Sequence, residues 1–278
     1  MDSDSPGRRG RLHGFSINRL IPNILTLAAL CSGLTAIRFA LQGEMRLAVI
    51  AIIVASIFDA LDGRVARRLG VTSRFGAELD SLSDFLCFGV APALVLYLAS
   101  LKDGGALGWV VTLMFPICSA LRLARFNTAL VSDTPPPVWT GSFFTGVPAP
   151  AGALLALIPL MISFEIEAAW PRHALVVGTV LVVVGGLMVS RLPTYSFKKG
   201  RVPRHLVLPS LLGAALVMGV LASAPWIALS MIGLVYVALI PFSWMGYRRQ
   251  ALVDRQAAAP QADVVSLRAV DSGPSAPH

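Results

Sequence analysis

Residues 57–84 read IFDALDGRVARRLGVTSRFGAELDSLSD. Four aspartates, Asp59, Asp62, Asp80 and Asp84, bracket a short basic connection, and the chain is apolar on either side: MRLAVIAIIVAS leads in from Met45 and FLCFGVAPALVLYLAS leads out to Ser100. On a helix, Asp59 and Asp62 are three residues apart and Asp80 and Asp84 four apart, so each pair occupies one face. Two apolar helices joined by the short loop from Arg68 to Phe75 should lie antiparallel and bring their two acidic edges together at one end.

The composition around this stretch sets the fold class. The chain has 278 residues, of which 55% are hydrophobic and 14% charged, a balance that suits a bilayer better than water. Eight windows of about 20 mainly apolar residues, each long enough to cross a hydrocarbon core of about 30 Å, recur at 20–40, 45–68, 78–100, 106–127, 146–164, 172–190, 205–223 and 226–246. The expectation is an all-α polytopic membrane protein of about eight transmembrane helices.

The net charge of +8 could suggest a nucleic-acid partner, but its distribution argues against one. With a cytoplasmic N-terminus, 19 of the 23 Lys and Arg residues fall on the inner side, as short basic loops retained in the cytoplasm require. Only Arg38, Arg46, Lys102 and Arg172 fall on or near the outer side. Both termini and the acidic site are therefore expected on the cytoplasmic face of the cell membrane. The first apolar stretch lacks a small-residue cleavage site and reads as a retained span. Cys31, Cys87 and Cys118 all lie in apolar windows without paired spacing, and no disulfide is expected.

Three segments follow. Residues 1–17, rich in Gly, Ser and Arg, read as a flexible cytoplasmic arm. Residues 18–249 form one integral membrane domain, and 250–278, dominated by Ala, Gln, Pro and Ser, read as a disordered cytoplasmic tail.

Four unpaired carboxylates near helix centres would cost about 2.5–3.5 kcal/mol each, or about 10 kcal/mol together. Arg67 is the one basic residue close by within the helices, and one guanidinium cannot offset four carboxylates. Divalent metal is the economical counter-charge. Oxygen ligands without nearby His or Cys favour Mg²⁺, Mn²⁺ or Ca²⁺ over Zn²⁺. Two such ions would suit a pyrophosphate substrate. Gly63, directly after Asp62, leaves room for a bulky group against the helix, and Gly76 does the same at the start of the next one; close helix packing is the competing use of both.

Taken together, Asp59-x2-Asp62-Gly63-x2-Ala66-Arg67-x8-Gly76-x3-Asp80-x3-Asp84 resembles the motif of the CDP-alcohol phosphatidyltransferase family at every defining position. The resemblance implies a six-helix catalytic core, usually paired as a homodimer, with a cavity open to the cytoplasm. It implies that Asp59, Asp62, Asp80 and Asp84 hold two divalent ions, Mg²⁺ or Mn²⁺, on the pyrophosphate of CDP-diacylglycerol, and that Asp84 is also the general base. Gly63, Ala66, Arg67, Ser73 and Gly76 would hold the CDP-lipid. So would Asn23 and Thr26, from the stretch IPNILT at Ile21–Thr26.

Four segments, IPNILT at Ile21–Thr26, ALRLARFN at Ala120–Asn127, FTGVPAP at Phe144–Pro150 and MVSRLPTYSFK at Met188–Lys198, are similar to the serine-using branch of that family. L-Serine as acceptor needs a cation for its carboxylate and an acceptor for its ammonium. Arg122, Arg125, Asn127 and Lys198 are the candidates; anchoring at a membrane edge is their competing role. Glycerol 3-phosphate or an inositol phosphate is the alternative acceptor. A cation transporter is the reading from another class, but no acidic set in the outer half continues a path across. A scaffold would leave the aspartates unexplained.

Overall fold

Helix 1 and helix 2 begin the bundle as an antiparallel pair, α1 (Leu20–Leu41) and α2 (Met45–Leu69), turned at Gly43. This computed structural model describes residues 20–71, 73–131, 143–166, 168–190, 193–195 and 207–240. Small side chains let the two backbones approach: Ala29, Gly33, Ala36 and Ala40 of α1 and Ala48, Ala51 and Ala55 of α2 are buried, and Ser32 Oγ donates to the Ala51 carbonyl at 2.8 Å. Gly33 also receives the next helix. A Cβ there would stand 2.6 Å from Cys87 Sγ and 3.1 Å from Cys87 Cα.

Gly70 ends α2 in the left-handed region at φ 62°, returning its N–H to the Ala66 carbonyl, a backbone state that glycine adopts at little cost. Ser73 then caps α3 (Arg74–Asp84), its hydroxyl accepting from the Gly76 N–H at 3.0 Å. Thus the connection between the acidic helices is short because both ends are capped within it.

From α3 the chain stays helical with local changes of pitch. A wide π-type turn (Phe85–Val90) precedes α4 (Ala91–Leu96), and another (Tyr97–Leu101) precedes a tight 3₁₀ turn (Lys102–Gly104) into α5 (Gly105–Val131). Pro92 lacks the N–H that a regular turn would need, and such widened turns gather at functional sites. The first of them begins directly after Asp84.

β1 (Phe143–Thr145) leads into α6 (Ala149–Ala156) and α7 (Ile158–Ile162), which are broken at Leu157 where Pro159 interrupts regular hydrogen bonding. Then come α8 (Ala174–Val189), β2 (Pro193–Tyr195), α9 (Val207–Ser223) and α10 (Pro225–Ile240). β1 and β2 pair antiparallel, Phe144 opposite Thr194, and this three-residue ladder is a small addition to an all-α protein. It ties together the chain after α5 and after α8, at the end where Arg125 Nη1 of α5 donates to the Val189 carbonyl of α8 at 2.6 Å.

The core is built from Ile52, Phe88, Leu96, Phe115, Leu157, Leu160, Met161, Leu181 and Met188, all fully buried. The outside is also apolar. Ile24, Leu27 and Leu34 of α1 are exposed, and Leu208 and Leu216 of α9 are each 70% exposed. Helices apolar on both faces need an apolar surrounding.

Within the described residues, each of the eight apolar windows falls on a helix or a run of helices. By length and composition, two described stretches qualify to cross a bilayer, Leu20–Leu41 and the continuous run 74–128; Ala174–Val189, Leu208–Ser223 and Pro225–Ile240 are apolar but shorter. The expected arm at 1–17 and tail at 250–278 lie outside the described residues.

Candidate functional site

The capped loop folds α3 back along α2 and brings three carboxylates from two helices to one point. Oxygens of Asp59, Asp62 and Asp80 all lie within 4.8 Å of one another. Asp84 joins through Asp59, the two carboxyl groups being in hydrogen-bond contact. Asp62 is 4% exposed, and the other three are half-buried.

The fit to a cation can be tested on this spacing. Two oxygens bound to one hard divalent ion at about 2.0–2.6 Å lie at most about 4–5 Å apart, so the observed separation matches a shared ion. The three aspartates are positioned to hold a metal ion.

α1 supplies the third wall. Buried Thr26 donates its hydroxyl to Asp62 Oδ2 at 2.6 Å, the shorter of its two possible bonds, the other being to the Pro22 carbonyl at 3.1 Å. A hydroxyl has one proton, so in the bond to Asp62 it is committed to fixing that carboxylate. Ser83 beside Asp84 in turn donates to the Thr26 carbonyl at 3.3 Å, tying α3 to α1.

A cavity of about 180 Å³ opens against Asp62 and Asp80. Asn23, Thr26, Gly63, Ala66, Ser73 and Gly76 line it, six of the seven residues that the sequence assigned to a CDP-lipid. The seventh, Arg67, lies outside the lining: it is exposed and folds back one turn so that Nη1 would stand 3.6 Å from a Cβ on Gly63, facing Asp62. At Gly76 a Cβ would meet Asn23 Oδ1 at 3.0 Å and Ser73 Oγ at 3.1 Å. This glycine is needed for the approach of α1 to the start of α3.

The acceptor candidates separate. Arg122 of α5 is half-buried, faces Asp84 and Tyr236 of α10, and its Nε has no hydrogen-bond partner among the described residues. Asn127 Nδ2 donates to Ser81 Oγ at 3.0 Å, linking α5 to the acidic helix. Arg125 is exposed and committed to the Val189 carbonyl. Lys198 lies outside the described residues.

The sequence that carries this acidic edge and the cavity beside it matches one family over most of the chain. The CDP-alcohol phosphatidyltransferase pattern covers residues 19–189.

The chain belongs to the CDP-alcohol phosphatidyltransferase family.

A second pattern, CDP-alcohol phosphatidyltransferase 2, covers residues 205–241, so α9 and α10 carry family character as well. Among curated relatives of this phosphatidyltransferase, a CDP-diacylglycerol–serine O-phosphatidyltransferase from Mycobacterium leprae is 38% identical over 242 residues, covering 85% of this chain and 80% of the relative. One of the same name from Helicobacter pylori is 34% identical over 180 residues, covering 65% and 73%. An archaetidylserine synthase from Methanothermobacter thermautotrophicus is 33% identical over 174 residues, covering 61% and 67%.

Sequence reasoning missed two features of the site. The direct bond from Thr26 to Asp62 joins residues 36 positions apart, and the sequence had assigned Thr26 to the CDP-lipid rather than to an aspartate. Tyr236 carried a faint signal, a polar tip in an apolar span that needs a partner when buried.

Proposed function

We propose that this phosphatidyltransferase is a multi-pass membrane enzyme that transfers the phosphatidyl group of CDP-diacylglycerol to the hydroxyl of L-serine, giving phosphatidylserine and CMP. The observation that carries the reading is the convergence of Asp59, Asp62 and Asp80, with Asp62 and Asp80 on the wall of a cavity also lined by Asn23, Thr26, Gly63, Ser73 and Gly76. Serine is supported by relatives whose names share it as acceptor while differing in the lipid.

Asp59, Asp62, Asp80 and Asp84 would hold two divalent ions, Mg²⁺ or Mn²⁺, and when bound these supply charge neutralisation for the pyrophosphate and the departing CMP. The remaining work falls to the chain. Thr26 holds Asp62 in one orientation. Gly63 and Gly76 keep the cavity floor free of side chains, so the nucleotide packs against backbone. Arg122, with donors to spare beside Asp84, attracts the serine carboxylate and so places the serine hydroxyl near Asp84. Asp84 takes the hydroxyl proton as the serine oxygen bonds to the lipid-side phosphorus and the phosphorus–oxygen bond to CMP breaks.

The outward-facing apolar side chains of α1 and α9 support a bilayer setting, with acyl tails remaining in lipid while the headgroup enters the cavity. The one-sided distribution of Lys and Arg supports a cytoplasmic site with both termini inside. A homodimer remains part of the proposal. The deciding experiment incubates purified full-length protein with CDP-diacylglycerol, Mn²⁺ or Mg²⁺, and radiolabelled serine, glycerol 3-phosphate or inositol phosphate in turn. Label entering lipid from serine alone is expected; label from a phosphorylated acceptor instead would replace serine.

A further inference from the structure

We propose that Arg46 and Arg172 form an oxyanion site that holds the phosphate of a phospholipid headgroup at the end of the bundle opposite the aspartates. A second cavity, of about 420 Å³, is lined there by Glu44, Arg46, Ser163, Phe164 and Arg172 among others. Arg46 sits in the first turn of α2, and Asp59 and Asp62 lie 13 and 16 residues further on, about 20–24 Å along the helix. The two sites are therefore separate.

Both guanidiniums are held in place with donors to spare. Arg46 Nη2 donates to the Phe164 carbonyl at 2.8 Å, and the group lies 5.6 Å from the centre of the Phe164 ring. That ring is fixed in turn by edge-on packing against Trp226, with centroids 4.9 Å apart. Arg172 Nε donates to Ser163 Oγ at 3.0 Å, and the Ser163 hydroxyl donates in turn to the Leu160 carbonyl at 2.7 Å. Each guanidinium carries five N–H donors and spends one in these bonds. Among the described residues neither forms an ion pair with a carboxylate. Two guanidiniums lining one cavity with unspent donors offer what a phosphate oxyanion takes, charge and paired N–H donors.

The surroundings favour a lipid as the source of that phosphate. Arg46 and Arg172 are two of the four Lys and Arg residues that the charge pattern assigns on or near the outer side, where such residues are disfavoured, yet both line this cavity. Met45, Leu98 and Ala99 share the cavity wall with them. Leu47 and Ile50 of α2 and Trp170 beside Arg172 are exposed, giving acyl chains an apolar surface next to the cations. Glu44 on the rim would accept from a headgroup hydroxyl or ammonium. The lipid assignment rests on the bilayer setting of the proposed function; the oxyanion site itself does not.

The test uses full-length protein in detergent, titrated separately with phosphatidylglycerol, with diacylglycerol of the same acyl chains, and with inorganic phosphate, reading bound ligand after gel filtration. Wild type should retain phosphatidylglycerol over diacylglycerol, and Arg172→Gln should weaken phosphatidylglycerol at least about tenfold while leaving diacylglycerol unchanged. Arg172 is the cleaner position because Arg46 also secures the Phe164 turn. Should Arg172→Gln not fold, Arg172→Lys, which keeps the charge and loses the fork, gives the same comparison. Inorganic phosphate bound with the same dependence on Arg172 would support the oxyanion site and assign it to soluble phosphate. Equal retention of the two lipids, or no effect of either substitution, overturns the proposal. Transferase activity in the same preparations is read separately: phosphatidylglycerol retained by a protein that makes no phosphatidylserine would sink only the proposed function.

Discussion

Replacing Thr26 with Val tests how the acidic cluster is held. Valine nearly matches threonine in shape, and the site is buried, so packing in α1 should survive. What disappears is the 2.6 Å bond from the hydroxyl to Asp62 Oδ2. A hydrogen bond to a charged group contributes about 1.5–3 kcal/mol, and at about 1.4 kcal/mol per factor of ten this corresponds to roughly 10–150-fold in the binding that depends on it. Loss of a group that orients a metal-bound carboxylate typically costs about 10–100-fold in affinity, which agrees. The assay is the Mn²⁺ concentration giving half-maximal transfer to serine, paired with direct Mn²⁺ binding. Thr26→Val should raise both by about one to two orders of magnitude, and Thr26→Ser should restore them. A folded Thr26→Val protein with unchanged Mn²⁺ dependence would refute the role of α1 in the site.

Asp84→Asn removes the proposed base while keeping its size, so turnover should fall by about 10²–10⁴-fold with CDP-lipid binding retained, as single-turnover kinetics and lipid-binding titration would show. Gly76→Ala places a methyl 3.0 Å from Asn23 Oδ1 and 3.1 Å from Ser73 Oγ; KM for CDP-diacylglycerol should rise with kcat little changed. Gly33→Ala pushes against Cys87 Sγ at 2.6 Å and its Cα at 3.1 Å. Overpacking of this kind costs about 1–3 kcal/mol, to be read as a lower unfolding midpoint in detergent with the Mn²⁺ dependence of the surviving enzyme unaltered.

The acidic site was legible in the sequence because its geometry is local. Spacings of three and four put Asp59 with Asp62 and Asp80 with Asp84 on single faces, and the short loop with Gly70 and Ser73 left the two helices little choice but to fold back. The helices were legible for a similar reason, since long apolar windows have few structural outcomes. Long-range details were not. Thr26 reaches Asp62 across 36 residues, and Tyr236 comes beside Arg122 from the last described helix. Nothing in the periodicity of either segment specifies the partner. The break between α6 and α7 was hidden within one apolar window because hydropathy does not register that Pro159 lacks an N–H. Arg125 and Asn127, set beside Arg122 as acceptor candidates from the stretch ALRLARFN and their residue types, also make ties between helices that the sequence does not specify.

The central claim is that carboxylates from α2 and α3 gather divalent ions, and Mn²⁺ binding measured by electron paramagnetic resonance on purified full-length protein tests it without relying on turnover. Wild type should bind Mn²⁺ saturably, and a double Asp59→Ala, Asp80→Ala protein of the same helical content should not. Identical binding isotherms for the two would contradict the account.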